Sequence, residues 1–226
     1  MRTKFAAWLA VLAAVVALAL WFGRSPDRGV AEGRGAAEGR GAAEGRIGTL
    51  GKADPAKVAV REMRMWQAYY GRDLNGLSQE LVALFHEDFG LPREDAVAVA
   101  GCLAAAAFKF IGLGGDYETR VLPDLELAYE TIRRATKGSW DAKAAARAEL
   151  AWWVDRRIPE RSSVENVGRS IAGLYSVLLG KENDEIARAG YLRAMAAHVH
   201  DTTGDWAKVE QLLTESYRTL ARGARR

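Results

Sequence analysis

Cysteine is almost missing from this chain, with Cys102 the one example among 226 residues. One cysteine excludes an intrachain disulfide, so cysteine usage does not report a redox compartment. It also excludes a thiolate zinc site within one chain, which needs several cysteines. Cys102 lies in an apolar run, where a free thiol behaves as a small hydrophobe. Excess charge of one sign is missing from most of the chain. Residues 1–52 hold eight Lys/Arg against four Asp/Glu, and the remainder holds 24 against 25. A near-neutral body offers no basic face, so nucleic acid is not an expected partner. Strand signals are missing too. No segment alternates apolar and polar residues, and Asn75-Gly76 falls between helical patterns rather than in a hairpin. There is no Gly-rich phosphate loop, Gly-x-Ser-x-Gly elbow or His-Glu-x-x-His motif. No cofactor is expected, and the missing motifs weigh against an enzyme without excluding one.

What is present begins with MRTKFAAWLAVLAAVVALALWFGR. After Arg2 and Lys4 the chain is apolar from Phe5 to Phe22. Those residues would form a helix about 27 Å long, close to the roughly 30 Å of a hydrocarbon core. Trp8 and Trp21 sit near its two ends, as interfacial tryptophans do. Residues 1–23 therefore read as a signal anchor that spans a membrane through residues 5–22. The alternative is a signal peptide cleaved after Ala17-Leu18-Ala19, releasing a secreted domain. Either way the body is expected outside the cytoplasm, in a periplasmic type of compartment.

Residues 24–53 read as a linker. Glu32 to Arg46 repeats Glu-Gly-Arg-Gly-Ala-Ala. Five glycines oppose helix there by about 1 kcal/mol each. Pairs such as Arg34 with Glu38 return at most about 0.5 kcal/mol. A flexible coil of about 30 residues would span roughly 30 Å, enough to tether a domain near a bilayer.

The body, 54–222, reads as an all-α bundle of about seven or eight helices, with 223–226 as a basic tail. Asp54-Pro55 is a helix start. Met63, Trp66 and Tyr70 follow it at helical spacing, and Leu77, Leu81, Leu84 and Phe85 line a second helix that Gly90 and Pro92 end. Residues 96–113 carry only Lys109 as a charge, and a helix apolar all round belongs in a core or a membrane. Lys109 and the low insertion energy of alanine favour the core. Further helices are expected after Pro123, after Ser139, after the capping-box pair Ser162 and Glu165, after Asn183 as far as about Val199, and after Asp205. Residues 204–220 resemble the second helix of a tetratricopeptide unit, with Gly204-Asp205-Trp206 at its usual opening. Arg193 and His200 stand where that motif prefers Trp and Tyr, and no second copy lies about 34 residues upstream.

Two groups of residues are candidates for function. His198, His200 and Asp201 resemble the HxHxD loop of metallohydrolases, although here the aspartate directly follows the second histidine. With His86 they make a candidate metal site for an all-α metal-dependent enzyme, provided the helix ends at Val199. The second group is aromatic. Trp66, Tyr69 and Tyr70, with Trp152 and Trp153, cover wider arcs than one buried face needs, and such residues are enriched at protein interfaces. They are the candidate partner-binding residues. Trp66, Trp140 and Trp152 could instead line a pocket for a small apolar ligand. Glu182, Asp184 and Glu185 lack the spacing of a calcium loop and fit a helix start, where carboxylates are favoured. The expectation is a membrane-tethered, extracytoplasmic helical domain that binds protein, as an adaptor or an accessory subunit of a membrane complex.

Overall fold

The computed structural model describes residues 53–226. The expected anchor with Trp8 and Trp21, its alternative cleavage site and almost all of the linker lie outside the described residues. Within them there are nine α-helices and no strand. In chain order they are α1 (Pro55–Tyr70), α2 (Leu74–Ala83), α3 (Arg93–Gly112), α4 (Tyr117–Arg120), α5 (Leu122–Thr136), α6 (Ala142–Arg157), α7 (Val164–Leu179), α8 (Asp184–Thr203) and α9 (Trp206–Arg225). The helix beyond the expected number is α4, a single turn. Each main helix packs on the next, and α9 returns to pack on α1. The helices thus form a closed ring, and its middle holds the bulk of the core.

Local chemistry sets the helix starts. The side chains of Asp54, Asp73, Asn183 and Asp205 each accept a hydrogen bond from a first-turn amide, filling one of the donors a helix start leaves unpaired. Two starts differ from the sequence expectation. Asp141, not Ser139, caps α6, because its Oδ1 reaches the amides of Lys143 and Ala144 at 2.8 and 3.1 Å. Ser163, not Ser162, caps α7, because the Ser162 hydroxyl donates to the Pro159 carbonyl of a short 3-10 turn. The α2 helix ends in a wider, π-type turn at Leu84–Asp88, which keeps Phe85 and Phe89 both buried. Gly90, at φ +70°, then reverses the chain, a backbone angle that favours glycine.

The α3 helix is not the central helix its composition suggests. Val97, Ala98 and Gly101 are exposed, while Val99, Leu103, Ala106 and Phe110 face the core. By length and hydropathy α3 could cross a membrane, a test that core helices also pass, and it packs against α2 and α5. The basic tail is also different from expectation. Residues 223–225 continue α9, and Gly223 and Ala224 are buried. Their carbonyls accept from Asn183 Nδ2 and Lys181 Nζ, and Glu185 pairs with Arg222 and Arg226. The acidic start of α8 is thus matched to the basic end of α9.

Candidate functional site

The aromatic residues singled out in the sequence form core rather than surface. Trp66, Tyr69, Trp152 and Trp153 are each no more than 3% exposed. Their arcs exceed one face because α1 and α6 have neighbours on both sides in the closed ring. Only Tyr70 reaches the boundary. Trp153 donates from Nε1 to Glu149 Oε1 at 2.8 Å and meets Phe110 edge-on. Trp140 meets the Tyr129 ring edge-on, with ring centres 6.0 Å apart.

Trp66 and Trp152 instead flank a buried charge. The Arg193 guanidinium carbon is 4.5 Å from the Trp152 ring centre and 5.7 Å from that of Trp66. Arg193 donates to Glu62 from Nε at 2.9 Å and from Nη2, and the Tyr217 hydroxyl donates to the other Glu62 oxygen. Glu149 accepts from the Tyr129 hydroxyl at 3.0 Å. Burial works most strongly against the charge on Arg193, but the Glu62 carboxylate together with Tyr175, Tyr217 and Glu149 outweighs it and holds the guanidinium above its usual pKa. Burial pushes the Glu62 carboxyl up against the pull of Arg193 and Tyr217. This network joins α1 to α8 and α9, the first helix of the domain to its last two. No sequence motif marks it. The available signal was a charge on an apolar stripe, since Glu62 lies between buried Ala59 and Met65, and Arg193 between buried Gly190 and Ala196.

The histidines do not assemble. The α8 helix runs four residues beyond the expected end, through all of His198–Asp201, and stops at Gly204 with φ +67°. On a continuous helix positions 198 and 200 point about 200° apart. His200 stacks on Tyr70, with ring centres 3.9 Å apart, and lies beside Trp206. Its Nδ1 is 3.1 Å from Asp201 Oδ1, while Arg156 Nη2 pairs with Asp201 Oδ2. His198 is exposed, and His86 directs Nδ1 to the Leu91 carbonyl at 2.8 Å. Among the described residues no group of three or more His, Cys, Asp or Glu is placed to hold a metal ion. Burial pushes the Asp201 carboxyl up, but the His200 hydrogen bond and the Arg156 charge outweigh it and leave its pKa below the ordinary value.

A hollow of about 470 Å³ lies along the outside of α7 and α8. Gly168, Ala172 and Gly173 line it on α7, and Ile186, Ala187 and Tyr191 on α8. Tyr191 is 39% exposed, one of few large apolar side chains left at the surface. The two helices close up through glycine. A Cβ on Gly190 would lie 2.4 Å from the Gly168 carbonyl oxygen and 2.8 Å from the Ala172 nitrogen. A Cβ on Gly173 would meet nothing within 4 Å. The lining is mainly apolar, with Glu165, Arg169 and Glu182 at its edge. Chemically the groove can bury the apolar face of another segment. No protein-family model, curated protein or solved structure matches this chain.

Proposed function

We propose that this chain is a membrane-tethered, extracytoplasmic helical domain that binds a protein partner, as an adaptor or an accessory subunit of a membrane complex. An apolar segment of that partner seats in the groove between α7 and α8. The observation that carries this is the groove itself, open and mainly apolar, lined by small residues, with a half-exposed Tyr191 beside it. Small residues admit close approach, and an aromatic ring supplies large contact area at modest entropic cost. The near-neutral body fits association through apolar contact rather than through a charged face. The tether rests on the apolar run 5–22 and the glycine-rich linker after it.

The test is the intact mass of the chain extracted from its membrane fraction under mild cross-linking. The expected result is a full-length chain joined to a second protein. A chain beginning near Leu20 and free of any adduct would contradict both the tether and the partner.

A further inference from the structure

The groove between α7 and α8 carries charge in a fixed order. Glu182 lines the end where the two helices join, and Arg169 and Glu165 line the other half. Gly168 crosses at Gly190 and Tyr191, so Arg169 is level with about Tyr191. Asp184 to Tyr191 covers about 10 Å of helix, and Glu182 lies just beyond Asp184. Arg169 to Glu165 covers about 6 Å. The order along the groove is therefore negative, positive, negative. Arg169 donates to Asn166 at 3.1 Å, and none of the three charges has an ion-pair partner among the described residues. The floor between them is small, made by Ala172, Gly173, Ser176 and Ala187.

One segment of this chain has the opposite order at a matching spacing. In the repeat from Glu32 to Arg46, Arg34, Glu38 and Arg40 run positive, negative, positive. In extended form Arg34 to Glu38 spans about 13 Å and Glu38 to Arg40 about 7 Å. Gly35, Ala36 and Ala37 between them are as small as the floor. Arg40, Glu44 and Arg46 give the same pattern a second time. The chain also enters the domain within reach. Glu62 meets Arg193 and Tyr70 meets Asp201, both pairs 131 positions apart, so α1 runs beside α8 in the same direction. By that offset Asp54, where the linker ends, is level with about Glu185. The Glu165 end of the groove is then about 15 Å along the bundle and about 20 Å across α8 and α9, or about 25 Å away. The chain from Arg40 to Asp54 can span up to about 46 Å.

We propose that the repeat at 32–46 seats in the α7–α8 groove of its own chain, and that the protein partner binds by displacing it. This rests on the groove being the partner's seat. Arg34 faces Glu182, Glu38 faces Arg169 and Arg40 faces Glu165, with Gly35 to Ala37 over the small floor. Each exposed pair is worth no more than about fivefold in affinity. Attachment to the domain supplies an effective concentration of roughly millimolar order. A contact too weak to hold between separate molecules is thus populated within one. It stays weak enough for a partner with larger apolar side chains to displace. The second copy of the pattern gives the groove an alternative register.

The test is paramagnetic broadening within the full-length chain, purified in micelles without a partner. A nitroxide on Ala37→Cys, with Cys102→Ala to leave one thiol, is expected to broaden the amides of Gly173, Ala187 and Tyr191. It should spare α5 around exposed Leu127. Arg34→Glu, Arg40→Glu and Arg46→Glu together should reduce that broadening at least about fivefold, the worth of one pair. These changes lie outside the helices and leave the domain itself unaltered. Glu165→Arg with Glu182→Arg should release the natural linker to the same extent, and the two sets combined should restore the broadening. No broadening at the groove, broadening unchanged by the three linker substitutions, or equal broadening from a label on a separate chain would each overturn the proposal. The partner reading fails by a different result, the absence of any cross-linked product from Tyr191 in the native membrane.

Discussion

Two alanine substitutions on neighbouring helices should have opposite effects on stability. At Gly190 an added Cβ meets backbone on the facing helix, at 2.4 Å from the Gly168 oxygen and 2.8 Å from the Ala172 nitrogen. Ordinary contact begins near 3.4 Å, so α7 and α8 must part by about 1 Å, which forfeits a quarter to a half of the dispersion attraction across the crossing. Overpacking of this kind costs roughly 1–3 kcal/mol. The upper end applies because the obstacles are backbone atoms rather than a side-chain end that can swing away. Alanine returns about 1 kcal/mol of helix propensity. The net loss for Gly190→Ala is then about 2 kcal/mol, and at about 2–4 °C per kcal/mol Tm falls by roughly 4–8 °C. At Gly173 the Cβ enters open space, so only the propensity gain remains and Tm rises by about 2–4 °C. Thermal unfolding followed by circular dichroism at the helix band measures both. A Gly190→Ala variant as stable as the wild type, or a Gly173→Ala variant that melts lower, would refute the close crossing and with it the shape of the groove.

Other variants test the rest of the fold. Arg193→Ala leaves the buried Glu62 carboxylate without its cation and should cost about 3–5 kcal/mol in denaturant unfolding, enough to threaten folding. Asn183→Ala removes the cap on α8 and the tie from Nδ2 to Gly223, so a loss of about 1–2 kcal/mol is expected, with faster amide exchange at the end of α9. Asp201 has a lower pKa folded than unfolded, so its contribution is complete above the unfolded value near 3.8 and is lost as pH falls through the lower folded value. The acid limb of a stability profile should therefore be shallower in Asp201→Asn than in the wild type below about pH 4.

Helix identity was legible because its signals are local. Asp54, Asn183 and Asp205 each have a polar cap followed by apolar residues at helical spacing, and all three cap as expected. Ser139 and Ser162 misled because each lies one or two residues before an equally good cap, and only the geometry of the preceding turn decides between them. The end of α8 was harder still. His198 and Asp201 look like a loop in sequence, but stacking of His200 on Tyr70 and pairing of Asp201 with Arg156 hold the last turns in helical form. The burial of the aromatic candidates was illegible for a different reason. How much of Trp66 or Trp152 is covered depends on the closure of α9 onto α1, a contact between the two ends of the domain that no local window contains. The α7–α8 groove was illegible likewise, since Gly168, Gly190 and Gly173 are alike in sequence and differ only in what faces them.

The central claim is that a partner segment occupies the α7–α8 groove, and cross-linking from within that groove tests it most directly. A photoreactive residue placed at Tyr191 in the full-length chain, in its native membrane, should give one discrete heavier product. Gly173→Trp, which fills the groove from an open position, should abolish that product while the domain still melts cooperatively. The same photoreactive residue at exposed Leu127, on α5, should give none. A product of equal yield in the Gly173→Trp background, or none from Tyr191 at all, would contradict the account.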